Sequence, residues 1–280
     1  MTHPEAAEVL HSAVAGTAHA AEHAEGHELA NFITILNNLF PDSSFVHFFH
    51  KWENVVFSLI AATLICVTAI RAARKQDVIP TGLRNFWEVI VEGIHAFVTG
   101  ILGPRGEKYV PFLGTLFVYI LLMNWSGLFP LMKSATSAWS TTIALALATT
   151  AYIQFIGIKE QGPIHYLQHM AGNPSNLFGV ILIPLMLVIN LSVEFVAVPL
   201  SLSLRLFANV SSEDRLLFKF AELNVLFKGI PFFFQLFANV LAIAFSIVQA
   251  FVFMLLSTVY ISLVLPHDDH GHEESTAHAH

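Results

Sequence analysis

Five long apolar runs constrain this chain more than any other feature. They occupy residues 53–70, 109–132, 138–158, 176–220 and 231–265. A helix rises about 1.5 Å per residue, so about 20 apolar residues cross a bilayer core of about 30 Å. Each run reaches or approaches that length. The prediction is an all-α polytopic membrane protein with about five membrane helices. Composition agrees: charged residues make up 12% of the chain, about half the usual share of a soluble domain. Mean hydropathy is +0.65. The formal charge of −7 comes mostly from the two tails, so it is no sign of a nucleic-acid partner. The partner of most of the chain is the lipid bilayer.

The last two runs are too long for upright spans. As helices, residues 176–220 and 231–265 would measure roughly 65 Å and 50 Å. They must tilt, bend or lie nearly along the membrane. Pro184 and Pro199 allow bends in the first. Residues 221–230, with Gly229 and Pro231 as punctuation, supply a turn. The two stretches therefore predict a long tilted hairpin. Between the first and second runs, residues 82–102 carry Arg84, Glu88, Glu92 and His95 at helical spacing. That pattern predicts an interfacial amphipathic helix rather than a span. Residues 31–50 read as a short interfacial segment with aromatic anchors.

Residues 1–30 form an Ala-, Glu- and His-rich tail, and residues 266–280 a His-rich one. The membrane domain is 31–265. Neither tail can bury a core, so both read as mobile and solvated. Histidine clusters can capture divalent ions, but the solvated reading is preferred, and no metal or cofactor is expected. Cys66 is the single cysteine. It excludes an internal disulfide and reads as a buried, inert thiol. Lysine and arginine placement gives a moderate orientation bias. Arg71, Arg74, Lys75, Arg84, Arg105, Lys108 and Lys159 fall on one side. Lys51, Lys133, Arg215, Lys219 and Lys228 fall on or near the other. The richer side is expected to be cytoplasmic, with the N-terminus outside and the C-terminus inside.

Arg205 is the residue that points to chemistry. It lies buried in VAVPLSLSLRLFANV, with no other basic residue nearer than Arg215. An arginine deep in a bilayer costs from about 3 to more than 10 kcal/mol, and it cannot shed its proton. It must face protein, water or an acidic partner. At about 100° per residue, Glu194, Ser201, Ala208 and Ser212 lie within about 60° of it, and Asn209 about 40° to its other side. No acidic residue lies within four positions, so its counter-charge is expected from another helix or another chain. The next helix carries a matching stripe: Gln235, Asn239, Ala242, Ser246, Gln249 and Tyr260. Two facing polar stripes, one with a fixed cation, suit an aqueous path for a small ion. Polar stripes also serve simply to hold membrane helices together. A stand-alone channel or transporter is the runner-up, although no internal repeat supports it. No HExxH, GxSxG or Cys/His dyad is present, so an enzyme is not expected.

PLSLSLRLFANV, followed by IVQAFVFMLLSTVYISL, resembles the a-subunit family of F-type ATP synthases. LLMNWSGLFP and STTIALALATTAYIQFIGIK fit the same family in order, so the resemblance covers roughly residues 40–265. It implies a non-catalytic, proton-translocating subunit of a bacterial inner membrane. The implied partners are a rotating ring of c subunits, the b subunits of the peripheral stalk, and other Fo and F1 subunits. It also implies that Arg205 separates two aqueous half-channels. By match to the motif, Asn209 and Gln249 stand near the path, and Ser201 lies on the arginine's face. Glu194 is the candidate relay of one half-channel and Asp214 of the other. Some positions depart from the family pattern. Glu194 stands only five residues before Pro199, about one turn closer than usual. SSEDR replaces the small-Gly-acid pattern, and Glu213, Asp214 and Arg215 read equally well as a local ion-paired cluster. Ala242 stands where some members carry a titratable group. Deletion of residues 268–280 is expected to leave ATP-driven proton pumping by membrane vesicles at the parental level; a loss would show that the histidine tail has a role.

Overall fold

The computed structural model describes residues 32, 33, 36, 44–74, 82–129, 132–162, 164, 166, 177–226 and 232–265. Both tails lie outside the described residues. The helices, in chain order, are α1 (Ser44–Lys51), α2 (Glu53–Arg74), α3 (Leu83–Leu102), α4 (Val110–Ser126), α5 (Trp139–Gln161), α6 (Leu177–Ser192), α7 (Val198–Leu226) and α8 (Phe232–Val264). Among the described residues there is no strand. Five helical segments are long and apolar enough to cross a membrane: Glu53–Arg74, Pro104–Ser126, Trp139–Gln161, Ile183–Phe220 and Phe233–Val264. The chain is thus an all-α polytopic membrane protein, and α3 is not one of the five spans.

Local chemistry sets the helix ends. Glu53 opens α2 while Arg71 and Arg74 close it, so charges of each sign meet the favourable end of the helix dipole. Pro111 sits in the first turn of α4, where a missing N–H costs nothing. Gly162 ends α5 with φ 80, a conformation that glycine adopts without strain; its N–H donates to Ile158 O at 3.0 Å.

α8 packs on α4, α5 and α7, α7 also packs on α5, and α2 and α3 flank α4. One core joins Ile120 and Met123 of α4 to Leu206 and Val210 of α7 and Phe253 of α8. A second joins Val98 of α3, Leu113 of α4, Ile153 of α5 and Ile261 of α8. On α8, Ala238, Ala242, Ser246 and Ala250 are buried at every fourth position. Small residues at that spacing let α7 approach closely. The opposite kind of surface lies outside: Leu59, Leu64, Val67 and Ile70 of α2 are exposed apolar side chains, as suits contact with lipid. Cys66 also faces outward, which corrects the expectation of a thiol buried in protein. Lipid tails are as apolar as a protein core, so an apolar setting does not require inward packing.

The long hairpin departs from expectation in three ways. α7 runs on to Leu226, so the turn starts later than residue 221. Pro184 lies inside α6 without ending it. Before Pro199 the chain adopts a π-helical turn, Val193–Ala197, and the Val198 N–H bonds back to Val193 O, five residues earlier. Proline lacks an N–H and its ring crowds the carbonyl four residues back. A widened turn accommodates both, and such turns often mark functional sites.

Gly157 of α5 marks the tightest contact. A Cβ there would meet Tyr166 Cε2 at 2.7 Å and Val264 Cγ1 at 2.8 Å. Gly157→Val is expected to push α8 and Tyr166 away from α5 and to cost about 1–3 kcal/mol, as overpacking does. The check is the thermal unfolding midpoint of the purified protein in detergent; an unchanged midpoint would contradict this packing.

Candidate functional site

α7 has two dissimilar sides near Arg205. Leu202, Ser203, Leu206, Phe207, Val210 and Ser211 are buried. That side packs on α5, with Phe207 edge-on to Trp139 at 5.5 Å between ring centres. Ser211 Oγ donates to Ser137 O at 3.3 Å. The other side presents Ser201, Arg205, Ala208, Asn209 and Ser212 to the exterior. Arg205 is therefore not buried within its own chain, contrary to the sequence reading. Among the described residues, none hydrogen-bonds or ion-pairs with it. It nevertheless sits near the middle of the Ile183–Phe220 span. Such a cation, at membrane depth and turned away from its own chain, requires an external partner or water.

Beside it, Asn209 Nδ2 donates to Gln249 Oε1 of α8 at 3.3 Å. Gln249 is 4% exposed, and its Nε2 is buried without a partner. The stripe expected on α8 forms: Ala242, Ser246 and Gln249 are buried, and Gln235, Asn239 and Tyr260 half-buried.

Two clusters containing acidic side chains stand on either side of Arg205, one at the π-turn before α7 and one within α7. Glu194 precedes Arg205 by eleven residues, roughly 16 Å of helix. Its Oε2 accepts from Gln154 Nε2 of α5 at 2.9 Å and lies 3.0 Å from the Tyr166 hydroxyl. That hydroxyl also sits against Gln154 Oε1. Burial, reinforced by the neighbouring carboxylate, pushes Tyr166 up from its ordinary value. It stays protonated and donates its one hydrogen within the cluster. Each residue of a π-turn advances the helix through a smaller angle than an α residue does. The turn therefore swings Glu194 off the Arg205 face, where an ideal helix would put it, and toward α5.

The second cluster follows Arg205. Asp214 lies nine residues on, about 180° around the helix from Arg205. Its Oδ1 would stand 3.4 Å from a Cβ placed on Gly127, whose other close neighbour is Ser134. This is the region where α4 ends and α5 begins, and its buried polar groups are linked. Thr136 Oγ1 donates to Asn124 Oδ1 at 2.7 Å, Ser126 Oγ to Lys133 O at 2.9 Å, and Ser134 Oγ pairs with Thr136 Oγ1 at 2.8 Å. Lys133 Nζ in turn reaches Glu53 Oε1 at 2.6 Å. Glu213 points elsewhere: Ser246 Oγ of α8 donates to its Oε1 at 3.5 Å. Glu213 also lines a cleft of about 160 Å³ with Asn209, Ser212, Ala238, Ala242 and Phe245. Among the described residues it has no cationic partner, so it is not part of a local ion pair with Arg215.

Arg205, Asn209 and Gln249 are thus brought together, with Ser201 one turn from the arginine on the same exposed side. Glu194 and Asp214 are held apart, before and after Arg205 along the chain. Sequence reasoning missed Tyr166, Gln154, Asn124 and the placement of Glu213. Gln154 and Asn124 carried a signal, as amides inside apolar spans. Glu213 lies about 80° from Arg205 on a helical wheel, which the sequence already contains. Tyr166 carried none, because its position depends on how the segment after α5 folds back.

Fold and site together define a multi-pass helical membrane protein that holds a fixed cation between two separate acidic clusters. The model of the ATP synthase A chain family matches residues 55–262, and the chain belongs to that family. It is 41% identical over 243 residues to "ATP synthase subunit a" of Protochlamydia amoebophila, covering 84% of this chain and 89% of that protein. It is 36% identical over 223 residues to the protein of the same name in Solidesulfovibrio magneticus, covering 79% and 86%. Against that of Helicobacter acinonychis the identity is 31% over 237 residues, covering 84% and 99%.

Proposed function

We propose that this chain is the non-catalytic, proton-translocating subunit a of a bacterial F-type ATP synthase, supplying two half-channels separated by Arg205. The observation that carries this reading is the division of α7. An arginine with no partner among the described residues of its own chain stands between Glu194, in the π-turn before the helix, and Asp214 within it. The outward face of Ser201, Arg205, Ala208 and Ser212 is small and polar apart from its one cation. A rotating ring of c subunits with membrane carboxylates fits that face. The b subunits of the peripheral stalk and the other Fo and F1 subunits complete the assembly. The chain lies in the inner membrane with its N-terminus outside and its C-terminus in the cytoplasm.

The mechanism follows from charge. A guanidinium about 4 Å from a carboxylate attracts it by about 4 kcal/mol at an effective dielectric near 20. At about 1.4 kcal/mol per unit, this lowers the carboxylate's pKa by about three units. A ring carboxylate arriving at Arg205 therefore gives up its proton. The released proton leaves through one half-channel, and the next carboxylate is neutralised from the other before it re-enters lipid. Because the cation never deprotonates, no proton can hop directly past it. Asn209 and Gln249 hydrate the path beside the arginine. Glu194, hydrogen-bonded by Gln154 and Tyr166, relays protons at one end. Asp214, in the polar zone around Asn124, Ser134 and Gly127, relays them at the other.

Arg205→Ala is expected to reduce ATP-driven proton pumping to the background of vesicles lacking the complex, read by quenching of a pH-sensitive dye. Arg205→Lys keeps the charge but not the planar, permanently charged fork, and is expected to pump far below the parent. Parental pumping by Arg205→Ala would contradict the assignment.

A further inference from the structure

We infer that Tyr166 is a positioning residue for Glu194: its one hydroxyl hydrogen turns between Glu194 and Gln154 as the glutamate loses and gains a proton. The inference rests on the reading of Glu194 as a relay and adds the side chain that serves it in both charge states.

The local sequence builds a seat for the ring. Gly162 ends α5 with φ 80, and the Tyr166 N–H donates to Gly162 O at 3.0 Å, which brings Tyr166 back against α5. Gly157 has no side chain, and the ring occupies the space that a Cβ would need, with its Cε2 2.7 Å from that position. Ile153, Ile156 and Val264 belong to the same core, and Tyr166 is 5% exposed. A ring held on these sides presents its hydroxyl at one place.

Three polar groups meet at that place. Glu194 Oε2 accepts from Gln154 Nε2 at 2.9 Å and from the Tyr166 hydroxyl at 3.0 Å. The same hydroxyl lies against Gln154 Oε1. With Glu194 charged, the hydrogen goes to the carboxylate, because a charge-assisted bond is the stronger one. When Glu194 takes a proton from a water of its half-channel, the carboxyl O–H becomes a donor and turns to the Tyr166 oxygen. The tyrosine hydrogen then turns to Gln154 Oε1, while Gln154 Nε2 keeps its bond to the carboxyl. The three groups close a ring in which each donates once and accepts once. Return of the proton to water restores the first arrangement. Neither state leaves the hydroxyl or the carboxyl without a partner, a penalty that would otherwise favour one state over the other.

Among the described residues, Gln154 and Tyr166 are the hydrogen-bond partners of Glu194. α6 carries no charged residue. The titratable side chains of α5 are Tyr152, stacked on Phe112, Lys159, and Glu160, which pairs with Lys108 at 2.6 Å. The nearest charge along α7 is Arg205.

The test uses vesicles carrying the full synthase and reads ATP-driven pumping against pH at matched amounts of the chain in the membrane. Tyr166→Phe keeps the ring in its seat and removes the hydroxyl. It is expected to pump about fivefold more slowly, the size of one net hydrogen bond. The acidic limb of its rate profile is expected to move to higher pH by roughly half a unit or more, because a donor that favoured the charged carboxylate is gone. A packing defect would instead lower the rate by one factor at every pH. Parental pumping by Tyr166→Phe overturns the inference, and so does a slower rate on an unmoved profile. If Tyr166→Phe does not accumulate in the membrane, Gln154→Leu decides. It removes the hydroxyl's second acceptor and the other donor to Glu194, and is expected to move the same limb in the same direction; an unmoved limb overturns the proposal. Glu194→Gln is measured in parallel. Its slowing beside an unaffected Tyr166→Phe removes this inference alone, whereas an unaffected Glu194→Gln removes the relay reading beneath it.

Discussion

A charge that cannot be neutralised, placed at membrane depth, organises everything around it. Arg205 has no partner among the described residues of its own chain, yet it stands midway along a span in which an unmet cation costs several kcal/mol. Stability alone would not keep it there. Leu206 and Val210 behind it are fully packed, so the helix is anchored firmly while its charged face remains open. That combination suits a stationary electrostatic element against which something else moves.

The rest of the fold supplies rigidity and asymmetry. α7 is clamped to α5 by Phe207 on Trp139 and by Ser211 on the Ser137 carbonyl. It is held to α8 by a small-residue seam and by the Asn209–Gln249 bond. The π-turn before Pro199 gives Glu194 a bearing different from that of the arginine. Acidic groups at the two ends consequently meet different neighbours: amide and phenol at one, a hydroxyl-rich zone and a cleft at the other. Arg205 lies between these two settings along the chain.

Much of the fold was legible in the sequence, because apolar run length fixes membrane helices almost by itself. The spans beginning at Glu53 and Trp139 and the long pair from Leu177 and Phe232 follow from counting. What apolarity could not reveal was which way a side chain faces, since lipid and protein interior reward the same residues. Cys66 and Arg205 were both read as buried, and both face outward for that reason. Pro199 marked a disturbance in α7 without specifying a π-turn. Among the site residues, the Arg205, Asn209 and Gln249 grouping was readable from helical spacing on two adjacent runs. The separation of Glu213 from Asp214 was present in the same arithmetic. Tyr166 was not readable, because its contact with Glu194 depends on tertiary folding of the segment after α5.

The most direct test of the central claim is a map of which face of α7 meets the proposed ring of c subunits. Single cysteines at positions 201, 208 and 212, and in turn at 203, 206 and 210, would be paired with a cysteine beside the ring carboxylate and oxidised in native membranes. The account predicts disulfide cross-links from the first set and none from the second. Cross-links confined to the second set would mean that Arg205 faces away from the ring, and the account would be wrong.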